Sequence, residues 1–382
     1  METTRHQVHF ADARRMDAVP DGSVSLVVTS PPYPMIELWD EQFAASDPPV
    51  AQALAAEDGN RAFDAMHARL DAVWRECRRV LQPGGLACIN IGDATRNIGG
   101  EFRLFSNHSR ILQALMALGF SVLPDILWRK PTNAPNKFLG SGMLPAGAYV
   151  TYEHEYILIA RNGGPRKFSP ADKARRRRSA FFWEERNKWF SDVWLDLVGA
   201  RQLLGNAKVD DRDTRTRSAA YPFELAYRLI QMYSLIGDTV LDPFLGTGTT
   251  TAAAIAGGRS SIGFEIERGL EEPIRNTIET AVPLGVASAQ RRLGAHLDFV
   301  QSREEAGRPC RHLNGPYGFP VVTAQETDLQ FIVPTAVAAV TGGIYSAEHE
   351  PAPLAARSSQ IELPFASING SVEADLEEVS RP

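Results

Sequence analysis

Residues 239–250 read Thr-Val-Leu-Asp-Pro-Phe-Leu-Gly-Thr-Gly-Thr-Thr, and this stretch restricts the fold more than any other. An apolar strand ends in Asp242, a Gly-rich turn follows, and a helix opens at Thr249. A second strand, residues 260–264, ends at Glu265, 23 residues after Asp242. Strand, helix and strand at this spacing make a parallel βαβ unit. Gly246 and Gly248 let the backbone approach a ligand with no Cβ in the way. Thr249 or Thr250 can cap the helix. The Glu265 carboxylate is then placed to accept two hydrogen bonds from ribose hydroxyls. A tight turn with no ligand is the plain alternative, since Gly-x-Gly alone is weak evidence. Two common phosphate loops do not fit. No lysine follows the glycines, and the third glycine of a dinucleotide fingerprint is missing.

The alternation of strand and helix continues on both sides of this unit. Strands are predicted at 7–10, 23–28, 86–91, 121–128 and 152–160. A helix over 63–81 follows from Phe63, Met66, Leu70, Val73, Cys77 and Val80, and it stops at Pro83-Gly84-Gly85. Further helices are predicted over 109–118, 221–235, 249–256 and 268–300. Residues 34–60 read as a loop with some helix. Two β segments are predicted at 318–322 and 329–333, ahead of a disordered acidic end. The whole pattern is that of a doubly wound α/β sheet.

Charge is distributed unevenly. The net is −6, yet residues 161–217 hold 15 Lys/Arg against 8 Asp/Glu, a local +7. That island contains Arg175, Arg176, Arg177 and Arg178 in a row, followed by Phe181, Phe182, Trp183, Trp189, Phe190 and Trp194. In isolation such a run reads as a solvated face beside a small aromatic core. In a basic island of an acidic chain it also fits a localised phosphate-binding face. No apolar run approaches 18 residues, so no membrane span is expected. The polar N-terminus lacks a signal-peptide core, and a cytoplasmic location is expected. The three cysteines are widely spaced and form no metal pattern, so no metal is expected.

The second motif is Thr29-Ser30-Pro31-Pro32-Tyr33, directly after the strand at 23–28. Two successive prolines fix φ and pre-aim the Pro31 carbonyl. Ser30 Oγ and that carbonyl are acceptors, and Tyr33 offers a flat face for stacking. Acceptors beside an aromatic face suit an exocyclic amine on a base taken out of its stack. The amine lone pair is delocalised into the ring, so a site that uses it must accept its hydrogens. Alone, the motif reads equally well as a rigid loop; beside the cofactor-type turn, the functional reading is favoured.

With both motifs in this order, the chain resembles the amino-group DNA methyltransferases that modify cytosine N4 or adenine N6. The catalytic motif lies N-terminal and the cofactor motif C-terminal, with a basic segment between, which is similar to the beta group of that family. Ala11-Asp12, residues 79–85, Leu127-Trp128-Arg129-Lys130, His154-Glu155-Tyr156-Ile157-Leu158 and Tyr221-Pro222-Phe223-Glu224-Leu225 resemble smaller family segments. The resemblance covers residues 6–280. It implies a Rossmann-like S-adenosyl-L-methionine-dependent fold with permuted motif order and an inserted target-recognition region. It implies catalytic Ser30, Pro31, Pro32 and Tyr33. Cofactor contacts are implied for Asp12, Tyr221, Asp242, Pro243, Phe244, Gly246, Gly248, Thr249 and Glu265.

The expected organisation is a catalytic half at 1–130, a strand plus basic recognition region at 131–218, a cofactor half at 219–285 and an extension at 286–382. Lys130 and Arg175 to Arg178 are expected on DNA phosphates. Double-stranded DNA is the expected partner, with a separately acting restriction endonuclease as a further one. Ser-Pro-Pro-Tyr is more typical of cytosine-N4 members, so that amine is favoured over adenine N6. Two other readings stay open: a DNA-binding adaptor that keeps the fold without turnover, and methylation of RNA or a protein glutamine.

Overall fold

The computed structural model describes residues 2–130, 139–197 and 221–354. Ten strands form the main sheet: β1 (Glu2–Phe10), β2 (Val24–Thr29), β3 (Leu81–Ile91), β4 (Phe120–Arg129), β5 (His154–Asn162), β6 (Val193–Trp194), β7 (Thr239–Asp242), β8 (Ser260–Glu265), β9 (Ile332–Thr341) and β10 (Ile344–Pro351). Their spatial order is β6-β4-β5-β3-β2-β7-β8-β1-β10-β9. The five central strands β3, β2, β7, β8 and β1 run parallel. β5 enters reversed between β3 and β4. A two-stranded ribbon, Ala94–Ile98 with Glu101–Phe105, stands off the end of β3.

The helices that cover the sheet follow from apolar periodicity. α3 (Gly59–Val80), after the short α1 (Asp40–Ser46) and α2 (Pro48–Ala55), buries Met66, Leu70, Val73, Trp74, Cys77 and Val80. Its N-terminus is capped by Asp58, which accepts from the Arg61 amide. With α4 (Asn107–Ala117) it packs on Val27, Ile89, Leu241 and Phe264 from one face. After α5 (Pro170–Arg178), α6 (Trp183–Trp189), α7 (Phe223–Tyr233) and α8 (Thr249–Ala256) cover Leu26, Val28, Ile157 and Val240 from the other. β2 is buried along all its residues, as a strand covered on both faces must be.

The helix predicted over 268–300 is present in two parts, and the strands beyond it differ from what the sequence predicts. α9 (Glu271–Glu279) is followed by one long helix, α10 (Ala281–Glu305). Of the predicted segment 329–333 only Ile332 and Val333 are strand, at the start of β9, and of 318–322 only Pro320–Val321, paired with His312–Leu313; β9 and β10 form a hairpin that pairs with β1 at the sheet edge. Leu293, Phe319, Val321, Leu329, Phe331 and Val333 make a further core with Phe182. Most of β9 and all of β10 escape a sequence reading because Pro334 and Thr335 interrupt the apolar run of β9, and β10 has large apolar residues only at Ile344 and Tyr345. The expected disordered end, from residue 355, lies outside the described residues. Among the described residues no helix is long and apolar enough to cross a membrane.

Candidate active site

β2 connects onward to β3 on one side, while β7 connects to β8 on the other. The crevice between β2 and β7 is therefore a topological switch point, where open α/β sheets place ligands at the carboxyl ends of strands. Both sequence motifs lie at that edge. They are joined across it by Thr29 Oγ1, which donates to Asp242 Oδ1 at 2.6 Å.

Asp242 is buried, and its carboxylate is occupied by the protein. Besides Thr29 it accepts from the Phe244 amide at 3.0 Å, from the Tyr221 hydroxyl at 3.2 Å, and from Thr250 Oγ1. Burial pushes its carboxyl above the usual range, and these donors pull it partly back. The sequence places Asp242 and Tyr221 on the cofactor. In the structure their side chains tie β2, the turn and α8 into one knot. Thr249 does not cap α8, and neither does Thr250; the cap is Gly248 at φ +90°, a left-handed conformation that favours glycine.

Glu265 is the opposite case, with acceptor positions to spare. Its Oε2 accepts from the Gly246 amide at 2.8 Å and its Oε1 from the Glu267 amide at 2.8 Å. A carboxylate has about four acceptor positions, so capacity remains for a diol. Burial raises its pKa and the backbone amides oppose that rise. The nearest atom to a Cβ built on Gly246 is the Phe244 carbonyl oxygen, at 4.0 Å. Phe10, at the end of β1, is in register with Glu265, and this brings Asp12 to the same edge. Asp12 there accepts from the Arg14 backbone and guanidinium, both at 2.9 Å. An acidic side chain with spare acceptors, beside an uncovered glycine backbone, suits an adenosine moiety. Pro243 and Phe244 continue the same turn, with Phe244 edge-on to Trp74.

Across the switch point, Ser30, Pro31, Pro32 and Tyr33 leave β2. Ser30 Oγ donates to Tyr33 Oη at 3.1 Å, and Tyr33 Oη donates to Glu155 Oε2 at 2.8 Å. Asn90, near the end of β3, donates through Nδ2 to Tyr33 Oη at 2.8 Å and to Glu155 Oε2 at 2.7 Å. Lys130 Nζ meets Glu155 Oε1 at 2.9 Å. Burial, and then the neighbouring Glu155 charge, hold the Tyr33 phenol well above its ordinary pKa, so it stays protonated. Gly92 leaves room for the ring: a Cβ there would lie 3.0 Å from Tyr33 Cε2. Beside it, Asp93 pairs with His108 at 2.7 Å and accepts from Tyr152 at 3.1 Å, and His108 stacks on Tyr156.

The sequence places Lys130 on phosphate; the structure turns its ammonium to Glu155. Asn90 and Glu155 have no chemical part in the sequence reading. A signal existed for the first, because one Asn inside the apolar run Ala87-Cys88-Ile89-Asn90-Ile91 must find a partner when buried.

Three of the four consecutive arginines pair with the protein's own acids. Arg175 to Arg178 lie on α5, whose Ser169 and Asp172 form a capping box. Arg175 pairs with Asp172 at 2.7 Å and Asp238 at 3.3 Å, Arg177 with Asp328 at 3.3 Å, and Arg178 with Glu2 at 2.8 Å. Arg176 lies over Phe168. Asp238 precedes β7 and Glu2 opens β1, so α5 sits at the start of the parallel strands, opposite the site. The length of β1 alone separates Glu2 from the site edge by roughly 25 Å, at about 3.3 Å per residue. Residues 131–138 and 198–220, part of the expected recognition segment, lie outside the described residues.

Comparison with known proteins identifies the family. A family model described as DNA methylase, for N6 and N4 modification, matches residues 24–276. The type II methyltransferase M.MthZI of Methanothermobacter thermautotrophicus is 49% identical over 336 residues, spanning 87% of this chain and 92% of that protein. The type II methyltransferase M.MjaI of Methanocaldococcus jannaschii is 51% identical over 287 residues, 72% of this chain and 92% of that protein. Among solved structures, a Thermus thermophilus protein assigned as a DNA modification methylase, solved with S-adenosyl-L-methionine, superposes with a TM-score of 0.55. It is 32% identical, and the match covers 73% of this chain and 96% of that one.

Proposed function

This chain belongs to the S-adenosyl-L-methionine-dependent DNA methylases that modify exocyclic amines, and we propose that the amine is N4 of cytosine in duplex DNA. The observation that carries the choice is Ser30 at the head of Pro31-Pro32-Tyr33, in place of an acidic or amide residue. Ser30 Oγ sits where its hydrogen goes to Tyr33 at 3.1 Å, which leaves it an acceptor toward a base amine. The bound cofactor supplies an electrophilic methyl group on a sulfonium. The protein's residues position everything else: Ser30 and the Pro31 carbonyl accept the amine hydrogens, Tyr33 supports the flipped base by stacking, and Glu265 holds the ribose. Asp12, Phe244 and the Gly246–Gly248 backbone complete the cofactor wall. Positioning of this kind supplies most of the rate in an in-line transfer.

Kinship with type II enzymes supports a restriction-modification setting, with an endonuclease acting as a separate protein on the same sequence. The arginines of α5 take no part in this reading of DNA binding.

The experiment is product identification. Purified protein is incubated with labelled cofactor and mixed-sequence duplex DNA, and the DNA is digested to nucleosides and weighed by mass spectrometry. N4-methylcytosine supports the proposal. N6-methyladenine refutes the base assignment while keeping the transfer chemistry.

A further inference from the structure

We propose that Glu155 is a positioning residue for methyl transfer, acting through Tyr33 on Ser30, and the final acceptor of the proton released by the amine. The inference rests on the reading of Ser30-Pro31-Pro32-Tyr33 as the base-holding loop.

The direction of the hydrogen bonds is forced. Glu155 as a carboxylate accepts only, and Lys130 and the Asn90 amide nitrogen donate only. Both donate to Glu155, at 2.9 and 2.7 Å. The single hydrogen of the Tyr33 phenol therefore points to Glu155 Oε2, 2.8 Å away. Tyr33 Oη is left as an acceptor, and it receives Asn90 and Ser30. The Ser30 hydrogen is committed to Tyr33, so the lone pairs of Oγ face away from it. A free serine hydroxyl would rotate between donor and acceptor roles; this one is fixed as an acceptor, the role an amine with two hydrogens needs.

The same chain gives the surplus proton a route. In the transfer the amine lone pair forms the new N–C bond, and the C–S pair leaves with sulfur. The nitrogen then carries a positive charge and one proton too many. A serine hydroxyl cannot keep that proton. The nitrogen gives a proton to Ser30 Oγ, the Ser30 proton moves to Tyr33 Oη, and the Tyr33 proton moves to Glu155 Oε2. The step ends with a neutral methylated amine, two neutral hydroxyls, a protonated Glu155 and a charged Lys130. The phenol, which stacking alone leaves idle, becomes the middle link.

The test is single-turnover methylation of duplex DNA by wild type, E155Q, Y33F and the double variant, with cofactor and DNA binding measured for each. The glutamine keeps the shape of Glu155 and cannot take a proton. E155Q and Y33F are expected to slow the transfer at least 30-fold with both binding constants within about twofold. The double variant is expected to be no slower than the slower single variant, because both break one chain. A wild-type rate in E155Q overturns the inference, and so do losses that multiply in the double variant. If E155Q does not fold, shown by lost cofactor binding, Y33F at the wild-type rate still overturns it. Wild-type protein that binds cofactor and methylates no DNA overturns the underlying reading of the loop instead.

Discussion

Gly92 is the most exacting place to probe the site with one carbon atom. It follows β3 and has an ordinary φ, so alanine is tolerated by the backbone itself. The obstacle is steric. A Cβ at this position would lie 3.0 Å from Tyr33 Cε2, 3.3 Å from Tyr33 Cδ2 and 3.4 Å from Glu155 Cγ. Carbon atoms pack at about 3.5–4.0 Å, so the ring must retreat by roughly half an ångström or more. That retreat stretches the 2.8 Å bonds from Tyr33 to Glu155 and from Asn90 to Tyr33. Overpacking of this sort costs about 1–3 kcal/mol of stability. The rate should suffer more, since a misplacement near 1 Å costs on the order of 100-fold. We expect Gly92→Ala to slow single-turnover methylation by about 10- to 100-fold. Cofactor affinity should hardly change, because Gly246 and Glu265 lie across the switch point. Gly164→Ala is the control: it has an ordinary φ and no atom within 4 Å of its would-be Cβ. A folded Gly92→Ala protein that methylates at the wild-type rate would show that Tyr33 does not need this position.

Three further outcomes are expected. Glu265→Ala should weaken cofactor binding about 10- to 100-fold by calorimetry, since hydrogen bonds to a charged group contribute about 1.5–3 kcal/mol each; unchanged affinity would remove Glu265 from the ribose. The Arg176→Ala, Arg177→Ala double variant should leave DNA affinity and its salt slope as in wild type, measured by anisotropy across a salt series, whereas phosphate contacts would reduce the slope by about one each. His67 is buried beside Asn107, and burial lowers its pKa to about 4. The unfolded chain therefore takes up a proton below about pH 6.5 that the folded chain refuses. Stability is full above that pH and is lost as pH falls toward 4, by about 1.4 kcal/mol per unit. Denaturant melts at pH 7 and pH 5 should show a smaller drop for His67→Gln than for wild type, and equal drops would refute this.

The sheet edge that carries both motifs was legible because they combine backbone demands with chemistry. Two prolines, two glycines and strand-ending acids leave few alternatives, and the structure puts Thr29 against Asp242 and Phe10 beside Glu265. What each residue does there was less legible. Asp242 and Tyr221 look like ligand contacts in the sequence, yet their polar atoms are used by Thr29, Thr250 and the Phe244 amide. How fully the acceptors of Asp242 are used depends on Tyr221 and Thr29, which are 21 and 213 residues away in the chain, and a linear motif does not display them. The arginines show the same limit. A linear run of four positive charges does not show that Asp172, Asp238, Asp328 and Glu2 pair with Arg175, Arg177 and Arg178.

The pairing of β1 with β10 bears on how the chain reaches its native state. Gln7 is in register with Ile344, and the Val8 amide donates to the Gly343 carbonyl. A strand made first thus shares its edge with a hairpin made more than three hundred residues later. Closing so long a loop is entropically slow, and contacts of this separation retard folding. During synthesis β1 can dock on β8 once residue 265 has emerged, but its other edge stays open until the hairpin arrives. An open strand edge is a template for pairing with another chain. The C-terminal hairpin therefore acts as a late-arriving guard of the nascent sheet, and shortening the chain ahead of residue 332 should be felt first as aggregation in the cell rather than as a loss of chemistry.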